Sequence, residues 1–527
     1  MCLQPRKFTS VSSRWIYGVK NWSRLSPLAI AVTLAGCSVG PDYQKPSTFL
    51  PSQYLPQARE KAAQWETPAS ADVAQWWRIL HDRELDSLVA RARKSNLDLA
   101  VALDRLQEAR TAVTIATNQG LPVVGVTGGG GVGTGSDETK GRVSQAVRSA
   151  ENAQNLKSIN EAGGLDANWE VDLLGKFRRE IEAQSADAEA LKDAHDWALV
   201  TVAADVTRYY LNMRAQQRQL VVLGQNIDAA RGNVDLTQGR LNRGLTNAID
   251  VSLAKRQVAT LQADLAPLAA QIDASRHAIA VLLGLFPEDL AKELAKPGGI
   301  PALPTKIPVG QPIDLLRRRP DICEAERLLA AANARIGVAT ADLFPTVVLS
   351  GAVGAQGGIR SSSGVPITWI GSFGPSLYLP LLDFGALDAQ IEIADLQTHE
   401  TLVAYKQAIL VAVRQVDDAS TSYRAQLERL KSLDRALVAA RDATQIATQR
   451  YDRGLTDFLN VLDAERQQFD LEARQVATRQ LAADDLVALY KALGGGWSLN
   501  EPIPPIRTPL PAAIAAAKHL LAPAQIY

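Results

Sequence analysis

From Leu165 to Leu173 the chain alternates apolar and polar residues at every step, as Leu-Asp-Ala-Asn-Trp-Glu-Val-Asp-Leu. This is the period-two signature of a strand with one apolar face. A second stretch repeats it: Phe373, Leu377, Leu379 and Leu381 alternate with Ser372, Gly374, Ser376 and Tyr378. Val- and Gly-rich hairpin partners are expected at Leu121–Gly133 and Phe344–Gly354, reached through Gly- and Ser-rich connections at Ser136–Gly163 and Gly357–Gly364. Elsewhere the apolar spacing changes to three and four, as in Val202, Val206, Tyr209 and Met213, or Val413, Val416, Leu427 and Leu430. With polar residues on many opposite positions, these read as amphipathic helices that pack sideways and keep one face wet. Ala386 to Arg453 contains neither Gly nor Pro, and Lys176 to Arg243 no Pro. A helix of about 68 residues is about 100 Å long.

The pattern is duplicated. Leu241 to Gln257 (LNRGLTNAIDVSLAKRQ) aligns without gaps on Tyr451 to Gln467 (YDRGLTDFLNVLDAERQ), a shift of 210 that Gly175 and Gly385 also keep. Upstream, Asp98 matches Asp321 and Pro122 matches Pro345 at a shift of 223. The first copy therefore has the longer loop between Pro122 and Gly175. Each half follows one plan of helix, two strands, long helix, tight turn and helix. Four strands of about ten residues suit an outer-membrane barrel but are too few to close one, so closure needs several chains; a soluble sandwich would give the same alternation. The long helices turn at Arg243-Gly244-Leu245-Thr246 and Arg453-Gly454-Leu455-Thr456. Gly suits the left-handed position that ends a helix, Arg complements the negative helix end, and Thr is expected to cap the next helix, with Asp457 near its positive start. Leu245 and Leu455 are left at the end of a rod, where only a partner buries them.

Composition agrees with long helices packed through small side chains: 46% of residues are apolar, mostly Ala, Leu and Val, and only 6% aromatic. The formal net charge of zero gives no basic surface for nucleic acid. Arg6, Lys7, Arg14, Lys20 and Arg24 precede an apolar segment from Leu25 to Leu34 that is too short to span a bilayer and reads as an export signal. Leu34-Ala35-Gly36-Cys37 resembles the bacterial lipobox, which makes Cys37 the acylated N-terminus after cleavage; an ordinary signal peptide is the alternative. Ser38 after the Cys, rather than Asp, suggests outer-membrane sorting among such lipoproteins. Cys323 is then the one remaining thiol, expected as a small buried apolar residue. His81, His195, His277, His399 and His519 show no metal-ligand spacing, Gly128–Gly131 lacks the Lys-Ser/Thr of a phosphate loop, and no Gly-x-Ser-x-Gly occurs. No metal site, cofactor or catalysed reaction is expected beyond the covalent lipid.

Gly40-Pro41-Asp42-Tyr43, Trp76-Trp77, Arg319-Pro320-Asp321-Ile322, Ala325-Glu326, Ile336-Gly337, Phe344-Pro345 and the two turns, in this order, resemble the NodT branch of TolC-type outer-membrane factors over about residues 34–497. The resemblance implies an α+β membrane protein in which three copies complete a twelve-stranded transmembrane β-barrel continuous with a long α-helical barrel, girdled by a mixed equatorial domain. It implies a homotrimeric exit duct in outer-membrane lipid, working with a periplasmic adaptor and an inner-membrane efflux pump. The organisation expected is a signal peptide at 1–36, a lipid-anchored segment at 37–80, repeats at 81–300 and 301–497 and a tail at 498–527. The resemblance places the periplasmic gate at Leu459, Asn460 and Asp463, with Asp250 and Tyr451 at other tip positions, and adaptor docking at Gly244, Leu245, Thr246, Gly454, Leu455 and Thr456. Three Asp463 carboxylates around a threefold axis would form a cation-favouring ring. The rivals are a lipid-anchored periplasmic coiled-coil scaffold without a pore and the outer component of a type I secretion system.

Overall fold

The computed structural model describes residues 38–47, 50, 73–133, 158–305, 312–360 and 367–498. The export signal, Cys37 and the tail from 499 lie outside the described residues. The first half runs α1 (Arg83–Ser95), α2 (Leu97–Gln119), β1 (Val123–Gly133), β2 (Ser158–Glu170), α3 (Lys176–Asn242), α4 (Ala248–Ala263) and α5 (Leu265–Leu282). The second runs α6 (Pro312–Arg318), α7 (Pro320–Ala341), β3 (Thr346–Arg360), β4 (Thr368–Tyr378), α8 (Ala386–Asp452) and α9 (Phe458–Ala492).

Both long helices have 67 residues, hence about 100 Å each. Each starts after a left-handed glycine, Gly175 or Gly385. The second helical arm differs between copies: α9 is continuous, whereas α4 and α5 part at Asp264. Pro267 accounts for the break, because it has no N–H to continue the ladder.

The strands form one antiparallel sheet in the order β1-β2-β3-β4, so β2 and β3 join the two hairpins into a continuous surface. Two expectations are corrected. β2 starts at Ser158 and β3 runs on to Arg360, so part of each expected connection is strand. β4 stops at Tyr378, and Leu379 and Leu381 lie beyond it, where Pro380 has no N–H for the ladder. The register sorts side chains by polarity. The row Val126, Leu165, Val353 and the residues Val124, Leu349, Phe373 and Leu377 share one face. Asp166, Asn168, Glu170, Ser350, Ser372 and Ser376 share the other. Val126 and Phe373 on the apolar face are each 83% exposed, although nothing in water rewards that. Among the described residues no helix is long and apolar enough to cross a membrane.

The main core joins α1, α3, α5, α7, α8 and α9 around Tyr210, Tyr405 and Tyr423. Trp76 stacks on Tyr490 at 4.9 Å and meets Trp77 edge-on. The motif residues turn out to be tie points. Arg319 is 1% exposed, forks onto Asp321, bonds Gln415 and the Ala492 carbonyl, and lies over the Trp197 ring. Residues 38–45 strap the helices together: Tyr43 and Lys45 donate to buried Glu326, Arg179 donates to the Val39 and Gly40 carbonyls and to Asp42, and Val39 N–H meets the Leu174 carbonyl. Burial works against ionising Glu326, but the Tyr43 bond and the Arg327 charge hold its carboxyl below the usual range. Gly40 has φ +88, and a Cβ there would fall 2.4 Å from the Gly337 Cα, so two glycines are needed where strap and helix touch. Cys323 is buried, as expected.

Candidate functional site at the helix tips

Far from the sheet, the two helical hairpins end side by side. In the first turn Gly244 N–H bonds the Leu241 carbonyl and Leu245 N–H the Arg240 carbonyl. In the second, Gly454 N–H bonds Tyr451 and Leu455 N–H bonds Arg450. Both are Schellman closures around a glycine with φ +71. Such a turn usually packs its outer apolar residue against the helix one turn back. Here that position is Arg240 or Arg450, and Leu245 and Leu455 stay 60% and 62% exposed. The turn geometry explains the glycines and leaves the leucines unexplained.

The expected Thr caps are corrected. Asn247 caps α4, its side-chain oxygen accepting from Ile249 and Asp250 N–H. Asp457 occupies the equivalent cap position of α9 without a side-chain cap bond. A Thr hydroxyl one residue earlier points down the helix in both turns: Thr246 donates to Asp250, and Thr456 accepts from the Asn460 amide at 2.7 Å. The threonines therefore brace the first turn of the following helix through an i,i+4 bond and leave the cap to the next residue.

Leu459, Asn460 and Asp463 are all exposed on the first turns of α9. Leu459 is 62% exposed, Asp463 lies one turn above it, and Gln467 donates to the Asp463 carboxylate at 2.8 Å. Ile249 on α4, in the position equivalent to Leu459, is 65% exposed. Tyr451 is placed elsewhere. It is 3% exposed in a small tip core with Phe458, Val461, Leu462 and Ala254, its ring 5.5 Å from that of Phe458. The Arg240 guanidinium covers the same ring at 4.5 Å and donates to the Asp452 carbonyl, which ties the first hairpin to the second. Sequence reading missed Arg240 and Phe458; the one detectable signal was that Phe458 stands where the first copy has Ala248.

Two residues beyond Asp463, buried Glu465 accepts from the Asn233 amide of α3. Burial pushes its carboxyl up from the ordinary value, and the Asn233 bond only partly offsets this. Among the described residues no group of His, Cys, Asp or Glu is arranged to hold a metal ion. The tip thus offers apolar knobs on its outside, a polar and acidic strip on one face of α9, and a rigid core between them.

An apolar-faced sheet open at both edges, joined to 100 Å helices with unburied tips, is the architecture of an outer-membrane conduit. The family profile for outer membrane efflux proteins matches residues 88–285 and 312–495, and the chain belongs to that family. It is 33% identical to nodulation protein T of Rhizobium leguminosarum bv. viciae, over 94% of this chain and 97% of that one. It is 30% identical to the probable efflux pump outer membrane protein TtgC of Pseudomonas putida, over 90% and 96% respectively. Its fold matches the outer-membrane channel OprN with a TM-score of 0.77 and 35% identity, covering 88% of this chain and 100% of that one. The protein is an efflux channel of the outer membrane, and a scaffold without a pore is set aside.

Proposed function

We propose that three copies close the sheet into a twelve-stranded barrel and the long helices into a periplasmic tube that passively conducts drugs or other small toxic compounds. The observation that carries this reading is the sorted sheet, with an apolar face for lipid and a polar face for water on four strands that cannot close alone. Leu459, Asn460 and Asp463 narrow the periplasmic mouth, and the Asp463 carboxylates favour cations. Asp250 braces the neighbouring turn, and Tyr451 holds the gate helix from behind. The Leu245 and Leu455 knobs, on turns built by Gly244, Thr246, Gly454 and Thr456, receive the helical hairpins of a periplasmic adaptor that links the duct to an inner-membrane pump. The duct itself performs no chemistry. Cys37 carries the lipid anchor, and the strap at Val39 and Gly40 supports this by fixing the next residues beside Gly175, where sheet gives way to helix.

Purified protein in planar bilayers tests the gate. The expected result is small, cation-preferring conductance that rises several-fold in the Leu459→Ala, Asp463→Ala double variant and loses cation preference with it. Conductance that is absent in both proteins, or unchanged by the double substitution, overturns the reading.

A further inference from the structure

Beyond α5 the chain crosses the long helices, and contacts with α3 fix its path. Gln217 donates to the Leu294 carbonyl and accepts from Gly298 N–H, while Arg214 donates to the Lys296 carbonyl. Further on, Tyr423 of α8 donates to the Pro304 carbonyl. Residues 297–300 of this crossing segment face both α3 and α9 and border a half-open cavity of about 390 Å³. That is at the small end of the range that holds small molecules. Arg479 on its α9 wall stands about 24 Å along that helix from Asp463, well away from the tips.

The lining is cationic and has no acid. Arg218 comes from α3 and Arg479 from α9, and among the described residues neither guanidinium has a hydrogen bond or an ion pair. No Asp or Glu lies within four positions of either along its helix. Two carboxylates close by are already engaged, since Gln475 donates to Asp434 and Arg441 to Glu472. A third guanidinium, that of Arg214, lies against the crossing segment, where a Cβ on Gly298 would fall 2.8 Å from its Nη1. Val221 and buried Val476 supply the apolar part of the lining. Hydration satisfies two separate surface arginines, but it gives no reason for them to share one cavity with a glycine segment across it.

The repeat shows that helix packing does not require this arrangement. At the shift of 210, Arg218 and Val221 correspond to Glu428 and Lys431, which pair with each other at 2.7 Å, and Arg479 corresponds to Ala269. The second copy therefore balances its charge where the first leaves two cations unmatched. We propose that this cavity binds a small anion bearing carboxylate or phosphate oxygens, gripped between Arg218 and Arg479. Each guanidinium offers a planar fork that suits such an oxyanion, and like charges brought together are relieved by a negative group between them. The bound anion links α3 to α9 and so ties the first helical hairpin to the second. The site is complete within one chain and is independent of the closed-barrel reading.

Calorimetric titration of the full-length protein in detergent, with citrate and with inorganic phosphate as probes, tests the site. Saturable binding of at least one probe is expected, with slower hydrogen exchange at residues 297–300 when it is bound. Arg218→Gln with Arg479→Gln should weaken binding by about tenfold or more, and Arg479→Lys, which keeps the charge and loses the fork, by less. Arg474→Gln, at an exposed arginine paired with Asp470 outside the cavity, should leave binding unchanged. Each single Gln substitution should weaken binding too, so the test survives a double variant that fails to fold. Citrate and phosphate also stabilise proteins generally by exclusion from their surface, an effect that the variants would share with the wild type. Failure of both probes to saturate, equal binding by the Gln variants, or an equal response to chloride at matched ionic strength overturns the proposal.

Discussion

The two helical turns at the tip share a backbone and differ in what stands behind it. Both close with the same bonds around a glycine, and both brace the next helix with a Thr bond to i+4. Behind the second turn lies a core built on Phe458 and Tyr451, where the first turn has Ala248 and Leu241. Eight positions into α9, the second copy buries Glu465 where the first exposes Lys255. One copy has become the anchored hairpin that carries the exposed strip of Leu459, Asn460 and Asp463, and the other remains a lighter arm attached to it through Arg240. The lesson is that duplication preserved the turn, where backbone geometry allows few alternatives, and let the packing faces diverge.

Phe458→Ala should break this comparison most strongly. Emptying a fully buried aromatic site costs about 3–5 kcal/mol, so hydrogen exchange of the second turn should rise to that of the first, and single-channel recordings should become noisy. If protection of the two turns stays as it was, the tip core is not what separates them. Next come the threonine braces. Thr246→Val removes a bond to a carboxylate, worth about 1.5–3 kcal/mol, and Thr456→Val a bond to an amide, worth about 0.5–1.5; partial exposure puts both near the lower end. Site-resolved exchange should therefore show more loosening at the first turn than at the second. Caps give a smaller contrast of the same sign. Asn247→Ala should cost about 1 kcal/mol, and Asp457→Ala, with no cap bond to lose, should leave the urea midpoint almost unmoved. The last contrast depends on pH. Glu465 has its folded pKa raised from 4.5, so between that value and the folded one the native tip holds a proton that the unfolded chain has released. Stability then falls as pH rises through this window and is level below it. Glu465→Gln should flatten the slope, whereas Lys255→Gln should not alter it. Equal slopes in the two variants would falsify the assignment.

Much of this was legible from residue order. The period-3.6 pattern located the long helices to within a residue and the period-two pattern located part of each strand, because one face of each is committed to a single environment. The repeat offsets located the turns. Strand ends were less legible: β2 begins in the Ser-Ile-Asn-Glu-Ala-Gly segment from Ser158, where no alternation marks a ladder that the neighbouring strand imposes. Cap identity was misplaced by one residue, since Thr246 and Asn247 are both capable oxygens and only the backbone angles decide between them. Arg240 could not be found by pattern at all, because its partners Tyr451 and Asp452 lie over 200 positions away. The motif residues Gly40, Glu326 and Gly337 carried the family likeness for reasons of packing, which residue order alone did not reveal.

The two raw edges of the sheet bear on inheritance as well as on form. A solitary molecule suits neither compartment: its valine-rich face is costly in water, and its unbonded amides and carbonyls are costly in hydrocarbon. Insertion therefore has to accompany association. A polypeptide spoiled along β4 still offers a sound β1 to its companions and takes healthy partners into a ring that never closes. Alleles of that kind should behave as dominant when expressed beside the wild type, whereas a null allele should be recessive.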